Sequence, residues 1–359
     1  MINFICFLIF ILILTTLRNN TEYFNTDMNY KSITVTLTKP VYHKIYIATL
    51  YKDTLYYNYG KILGKIYPIN TLVGKGSVNN VQRLINNEVN FAIAQEDVVI
   101  DAISGKGAFT DKNKSIRFIT SIFEEKVTLI VNPIYNIHSW RDLKGKTVCF
   151  GGIGSGSLYN ALELCKLIHI YESDLNIIYG NPFDDAIFKK ISNNEIAAFY
   201  MTGEHPDSFL VKTFKNNLLK IIGSNGIPDE LVQIRFPTWH KSYINVKDYK
   251  IPSTNTKIHT FAVKTLLICN KKEDYSVIYR LIDTIFSNII YIRRNIGLRE
   301  NLEVLEQYSL SSTFPEHNII PVHIGVIDYY YYLGIFTNNT DKRCSMFAGT
   351  GKCDLELIN

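Results

Sequence analysis

The sequence lacks the patterns that mark covalent or nucleotide chemistry. Its six cysteines in 359 residues form no C-x-x-C and no His/Cys cluster, so spacing supports neither a zinc site nor a redox dithiol. No H-E-x-x-H is present, and no Ser sits in a G-x-S-x-G elbow. The glycine-rich loop at residues 151–156 is followed by Ser157, where a Walker loop needs Lys, and no dinucleotide fingerprint follows it. Metalloprotease, serine-hydrolase, P-loop and dinucleotide-cofactor readings therefore have no support, and no cofactor is expected. The net charge is only +5, spread along the chain without a basic block, which argues against a phosphate-backbone footprint and hence against a nucleic-acid partner. No repeat of fixed short period occurs.

Long apolar runs are scarce too, and the one at residues 2–17 stands out. Sixteen residues are short for a membrane span and suit the apolar region of a secretory signal, although no Lys or Arg precedes them and no small-x-small cleavage site follows. Residues 1–20 are therefore expected to be a signal peptide, or an anchor if uncleaved, and the protein to be periplasmic or extracytoplasmic. Cys6 lies inside the run, which disfavours lipid attachment. Cys149, Cys165 and Cys269 sit in apolar patterns as buried thiols do, whereas Cys344 and Cys353 near the C-terminus either close a disulfide in an oxidising compartment or stay free.

The remainder, 47% hydrophobic and 20% charged over the whole chain, is globular material long enough for two cored domains. Strands and helices alternate, which is the pattern of parallel sheets. Strands are expected at 44–50, 69–73 and 91–95 with helices at 55–66, 77–86 and 97–104. Two further strands, 117–123 and 127–132, flank Glu124-Glu125-Lys126. A second unit follows with strands at 147–150, 176–179, 196–201 and 218–222 and helices at 157–168, 183–192 and 207–215. The pattern weakens over 223–256, where Pro228, Pro237 and Pro252 act as breakers, before a strand at 260–269 and a long helix at 275–292.

Residues 147–159, TVCFGGIGSGSLY, combine a strand-like run, a Gly/Ser loop and the start of an amphipathic helix. First-turn N–H groups have no partner inside the helix and carry partial positive charge, so such a loop either welcomes a carboxylate or phosphate or is a plain turn capped by Ser.

Several blocks in common order resemble the TAXI family of solute-binding proteins, the extracytoplasmic receptors of TRAP-type transporters. Gly76-Ser77-Val78-Asn79-Asn80 with Phe91-Ala92-Ile93-Ala94-Gln95-Glu96-Asp97 is similar to the family's G-S-V-x-N and Q-x-D. Asp142-Leu143-Lys144-Gly145-Lys146-Thr147-Val148 and Gly154-Ser155-Gly156-Ser157 resemble its D-L-K-G-K-x-V and G-S-G-[ST]. Phe199-Tyr200-Met201-Thr202-Gly203-Glu204-His205-Pro206 and His323-Ile324-Gly325-Val326-Ile327-Asp328-Tyr329-Tyr330 resemble later blocks. The family's first strand runs into a Gly-rich turn, but here Leu50-Tyr51-Lys52-Asp53-Thr54-Leu55 precedes Tyr56-Tyr57, so an altered pocket is expected.

The resemblance implies an α/β type II periplasmic-binding-protein fold, with two doubly wound lobes around a central cleft and a two-strand hinge. Lobe one would take residues 44–126 plus 223–359 and lobe two 127–222. The cleft would be lined by loops after Thr49, Gly74, Gln95, Phe150 and Tyr200. In it Gly76, Ser77 and Asn79 would donate from one helix start, Gln95 and Asp97 would orient polar groups, and Gly154, Ser155, Gly156 and Ser157 would hold an anion from the other lobe. Tyr56 and Tyr200 are either aromatic walls or core, and Gly203, in the turn block that resembles the family's, is also implied at the binding site. Glu204, His205 and Asp207 are expected to be solvated turn residues. The implied function is capture of a small carboxylate-bearing solute, an amino acid or a dicarboxylate, for the membrane subunits of a TRAP-type transporter. A transferase on the same two-lobed fold and a receptor presenting its ligand to a sensor protein are the alternatives, separable by turnover and by gene neighbourhood.

Overall fold

Local signals build the first half. Thr54 accepts a hydrogen bond from the Tyr57 amide and starts α1 (Leu55–Ile66), whose Tyr56, Tyr59, Ile62 and Leu63 recur on one face and are buried. This helix links β1 (Ile45–Ala48) to the parallel β2 (Ile69–Leu72), and α2 (Ser77–Ile85) leads to β3 (Phe91–Gln95) on the other side of β1. All five residues of β3 are buried, as expected of a strand covered on both faces. It passes directly into α3 (Glu96–Ser104). The computed structural model describes residues 44–216, 219–249, 256–296 and 319–333. Residues 1–20, Cys344 and Cys353 lie outside the described residues.

The two strands expected on either side of Glu124-Glu125-Lys126 are one strand, β4 (Ile116–Val131). The charged triplet stays in the ladder because its partners continue past it: Glu125 faces Val263 and Lys126 faces both Ala262 and Gly203. Beyond β4 come β5 (Thr147–Cys149), α4 (Gly156–Leu167), β6 (Asn176–Ile177), α5 (Asp185–Ser192), β7 (Ala198–Gly203), α6 (Ser208–Asn216) and β8 (Lys220–Ile221). The Pro-punctuated stretch supplies α7 (Asp229–Arg235) and β9 (His240–Asn245), and the second long strand is β10 (Lys257–Asn270). The expected long helix is two, α8 (Tyr275–Ser287) and α9 (Ile289–Asn295), because Asn288 leaves helical geometry at φ −114, ψ 18. Last among the described elements is α10 (Ile324–Tyr332).

The strand order is β2-β1-β3-β10-β4-β7-β5-β6, with β9 added to β10 and β8 to β4. Each end repeats one motif: three parallel strands in the order second, first, third, then a long antiparallel strand. That is β2-β1-β3 against β10 and β6-β5-β7 against β4. The paired β4 and β10 run through both halves, with ladder irregularities at Thr265/Leu266 and Leu267/Ile268. This is the expected α/β type II periplasmic-binding fold, two lobes on two shared strands.

Hydrophobic clusters follow the same division. One holds Ile47, Phe91, Phe118, Leu267, Ile278 and Tyr330. On β7, Ala198 and Tyr200 enter a second cluster with Trp140, Phe150 and Trp239, while Phe199 and Met201 enter a third with Ile130, Leu210 and Ile244. Alternation along the strand thus gives this half of the sheet two covered faces. Ile227, Val232, Phe236, Trp239 and Phe261 also lie in the second cluster, so the segment expected to rejoin lobe one at Gly223 packs with lobe two. Trp140 holds it there: its Nε1–H donates to Gly223 O at 2.8 Å and its amide to Asn225 O at 3.0 Å. Phe236 stacks on Trp239 with ring centroids 4.0 Å apart. Removing such a buried aromatic costs about 3–5 kcal/mol.

Candidate functional site

The starts of α2 and α4 meet where the lobes face each other. Gly76, at φ +118, stands so close to the second lobe that a Cβ would lie 2.9 Å from Ser155 Cα, a position and a backbone that only glycine tolerates. The Asn79 amide donates to Gly154 O at 3.0 Å, so a first-turn N–H of α2 already binds a carbonyl of the other lobe. A Cβ at Gly156 would collide with Gln95 Oε1 and come within 3.0 Å of Ser77 Oγ. These glycines are thus at the interlobe contact, Gly76 against the Ser155 backbone and Gly156 against the Gln95 and Ser77 side chains.

Behind this contact runs a buried polar chain. Ser77 Oγ accepts from the Gln95 amide at 3.1 Å and lies 3.3 Å from the Tyr56 hydroxyl. Tyr56 donates to Glu125 Oε2 at 3.2 Å, and Gln95 Nε2 donates to the same oxygen at 2.9 Å. Asn160 Nδ2, from α4, then donates to Gln95 Oε1 at 3.2 Å. The chain therefore crosses from lobe one through the hinge strand β4 to lobe two. Burial pushes the Glu125 carboxyl up to about 7 against the lowering effect of the hydrogen-bonded Gln95 and Tyr56 and of the adjacent Thr265 side chain. Burial likewise raises the Tyr56 hydroxyl, with Glu125 adding to it.

Asp97 sits in the first turn of α3, two residues beyond Gln95. Burial, then the neighbouring Asp101, pushes its carboxyl up to about 7; the Val98 and Asp97 backbone amides and Arg235 oppose the rise, although neither oxygen stands in full hydrogen-bond geometry to a donor. One turn further along the same face, Asp101 bridges the lobes. Its Oδ2 receives Arg235 Nη2 at 2.9 Å and the Tyr159 hydroxyl, while Arg235 Nε donates to Glu163 Oε2 at 2.7 Å. The guanidinium also lies 4.7 Å over the Phe236 ring.

Other expected site residues have structural positions. Thr49 is buried and its hydroxyl donates to Leu72 O at 3.0 Å, so it ties β1 to β2. Tyr200 is core, not wall: it is fully buried, edge-on to Trp140 at 5.6 Å, and bonded to Thr202 Oγ1 at 2.9 Å. Gly203 closes β7 opposite Lys126. Ser155 caps α4 by accepting from the Leu158 amide at 3.1 Å, and Ser157 Oγ accepts from the Thr202 amide at 3.2 Å. His205 is no solvated turn residue. Its Nε2 lies 2.6 Å from Thr128 Oγ1, its Nδ1 meets the Tyr249 hydroxyl, and burial, with Lys126, depresses its pKa to about 3. Burial and then Asp207 raise the Glu204 carboxyl well above its ordinary range. In the glycine-poor loop, Tyr51 reaches lobe two, its hydroxyl 3.0 Å from where a Gly152 Cβ would stand. A groove of about 580 Å³ between Tyr51, Lys75, Asn79 and Arg83 lies beside this rim, along the outer side of α2 and apart from the buried chain.

Residues 47–334 match the model of the NMT1-like family, a span that includes both long strands and both helix starts. The chain belongs to the NMT1-like family. Among solved structures it is similar to the alkanesulfonate-binding protein SsuA from Xanthomonas axonopodis pv. citri bound to MOPS, at 11% identity over 82% of this chain and 94% of that one, TM-score 0.41. It is also similar to ArtJ, the arginine-, lysine-, histidine-binding protein from Geobacillus stearothermophilus, at 14% identity over 74% and 100%, TM-score 0.44. Among the described residues this NMT1-like chain has no group of three His, Cys, Asp or Glu that could hold a metal ion, and no helix long and apolar enough to cross a membrane. Glu125, Asn160, Asp101, Tyr159 and Arg235 are the interlobe residues that sequence reasoning missed. No local motif marks them.

Proposed function

We propose that this protein is an extracytoplasmic solute-binding receptor of the TAXI type, which captures a small carboxylate-bearing solute and hands it to the membrane subunits of a TRAP-type transporter. The observation that carries the reading is the Asn79 N–H to Gly154 O bond: a helix start in one lobe is satisfied by an oxygen of the other, and a ligand carboxylate replaces that oxygen when the lobes part. Helix dipoles at α2 and α4 favour such an anion. The two long strands β4 and β10 form the hinge, with lobe two running from residue 127 to about 263 and lobe one holding the rest of the described residues. The interlobe residues fit binding without a covalent step, since Ser155 and Ser157 are engaged as acceptors within lobe two and the buried cysteines carry raised pKa values, Cys149 about 11 and Cys165 about 12.

The test is a thermal-shift screen of amino acids and dicarboxylates followed by titration calorimetry and solution scattering. A true ligand stabilises by about 2.7 kcal/mol at a hundredfold excess over Kd and shifts the lobe separation. If no carboxylate raises the melting temperature, or a candidate is chemically turned over, the receptor reading fails.

A further inference from the structure

The lobes are fastened to each other a second time, away from the helix starts. On α4, Tyr159 and Glu163 lie about one and two turns beyond Gly156 and share a face. Glu163 divides its oxygens, Oε1 taking Lys166 Nζ at 2.7 Å and Oε2 taking Arg235 Nε at 2.7 Å. The Phe236 ring lies 4.7 Å from the same guanidinium. Lobe two thus fixes Arg235 with its own groups. The other edge of the guanidinium crosses to lobe one: Nη2 donates to Asp101 Oδ2 at 2.9 Å and to the Tyr159 hydroxyl, which itself donates to Asp101 Oδ2. Lobe one supplies the socket. Asp101 is only 3% exposed, and Gly107, at φ +61 in the turn after α3, stands so close that a Cβ would overlap the Tyr159 hydroxyl. A planar guanidinium serves two carboxylates on different edges at once, which a lysine ammonium does not.

Where the helix starts meet, the Asn79 amide is bonded directly to Gly154 O at 3.0 Å, so the lobes must part before a solute enters between them. The fully closed arrangement is therefore one that the chain adopts on itself. We propose that Arg235 is a clasp that holds the unliganded chain closed by gripping Asp101 across the lobes, and that its release is the step that opens the chain to a solute. The clasp stands on the contacts alone; only its consequence for a solute rests on the receptor reading above. Closing costs little side-chain ordering, because Glu163 and Phe236 hold the guanidinium before Asp101 arrives. Opening breaks two charge-assisted bonds at one carboxylate oxygen together, those from Arg235 and Tyr159. The apparent affinity for any solute is then lowered by the fraction of chains that stand open.

The Asn79 amide reports closure, because a first-turn N–H has no partner inside its own helix and Gly154 O belongs to the other lobe. Its hydrogen exchange, resolved by fragmentation mass spectrometry, is followed without added solute in the dialysed wild-type chain, Arg235→Met, Asp101→Asn and the double variant. The Ile93 and Ala94 amides of β3 gauge global unfolding. In wild type Asn79 should exchange about a hundredfold or more slower than an unprotected amide. Arg235→Met should speed it about tenfold or more and Asp101→Asn about threefold or more, with Asn79 in each variant still exchanging well ahead of Ile93 and Ala94. The double variant should be no faster than Arg235→Met, since both changes act on one clasp. An Asn79 amide unprotected in wild type, no acceleration in either single variant, accelerations that multiply in the double variant, or exchange in step with Ile93 and Ala94 overturns the clasp. If Arg235→Met fails to fold, wild type and Asp101→Asn still decide it. If the exchange results hold while no amino acid or dicarboxylate raises the melting temperature, the clasp stands and the receptor reading falls.

Discussion

Replacing Asp97 by Asn should stabilise the ligand-free protein at alkaline pH and do nothing for it in acid. The carboxyl's pKa is raised from 3.8 to about 7, by burial first and Asp101 second, with Arg235 and backbone amides opposing. The facing charged groups are Asp101, Arg235 and, from the hinge strand, Glu125. Because the folded state holds this proton more tightly than the unfolded chain, it carries more protons between roughly pH 4 and 7, and stability falls with rising pH across that window. Each tenfold difference in proton affinity is worth about 1.4 kcal/mol, so the full gap sets an upper bound of about 4 kcal/mol, and relaxation around coupled carboxyls brings the expectation to about 2–4 kcal/mol. Asn has the same shape and no proton to lose. Urea unfolding followed by circular dichroism at pH 4.5, 6 and 8 should show wild type and variant converging at the lowest pH and separating at the highest. A variant less stable than wild type at pH 8, or a difference that does not change with pH, would refute the account of Asp97 as an unpartnered buried carboxylate.

Three further outcomes test the interlobe geometry. Gly76→Ala introduces a Cβ 2.9 Å from Ser155 Cα at φ +118; it should cost about 1–3 kcal/mol and shift solution scattering towards separated lobes, and an unchanged scattering curve would show that the contact is dispensable. Arg235→Met leaves Asp101 buried with Tyr159 alone and should cost about 2–3 kcal/mol in denaturant unfolding, at the low side for breaking a buried pair because the Arg235 side chain is 22% exposed; adding Asp101→Asn should recover part of the loss. His205, with a pKa of about 3 folded against 6.5 unfolded, contributes stability that is complete above pH 6.5 and lost as pH falls towards 3; melting curves of His205→Gln should show a drop between pH 7.5 and 4.5 about 2–3 kcal/mol smaller than that of wild type.

Much of the fold was legible because its signals are local. Thr54 before Leu55, the amphipathic run to Ile66, the uniformly apolar Phe91–Ala94 and the Ser155 cap each depend on neighbours within a few residues. Tyr200 was ambiguous for a physical reason, since an aromatic on a strand can face either a cleft or a helix layer. Only the alternation of Phe199 and Tyr200 between two clusters resolves it. The packing of residues 227–239 was not legible because weak periodicity marks a Pro-rich segment without saying which hydrophobic cluster takes Phe236 and Trp239.

The hinge shows why the remainder was out of reach. A buried Glu in mid-strand contradicts every local preference of β structure, so Glu124-Glu125-Lys126 reads as a turn. What keeps Glu125 in the strand lies 30 positions away at Gln95 and 69 at Tyr56, and the same Gln95 reaches Asn160, 65 positions on, in the opposite lobe. A polar network of that separation leaves no periodic trace, yet it places a titratable carboxyl where the two lobes join. Gly76, Gly154 and Gly156 stand beside it, legible as glycines that something must approach closely. The sequence pattern alone could not tell whether that something is a ligand or the other lobe, because both demand the same missing Cβ.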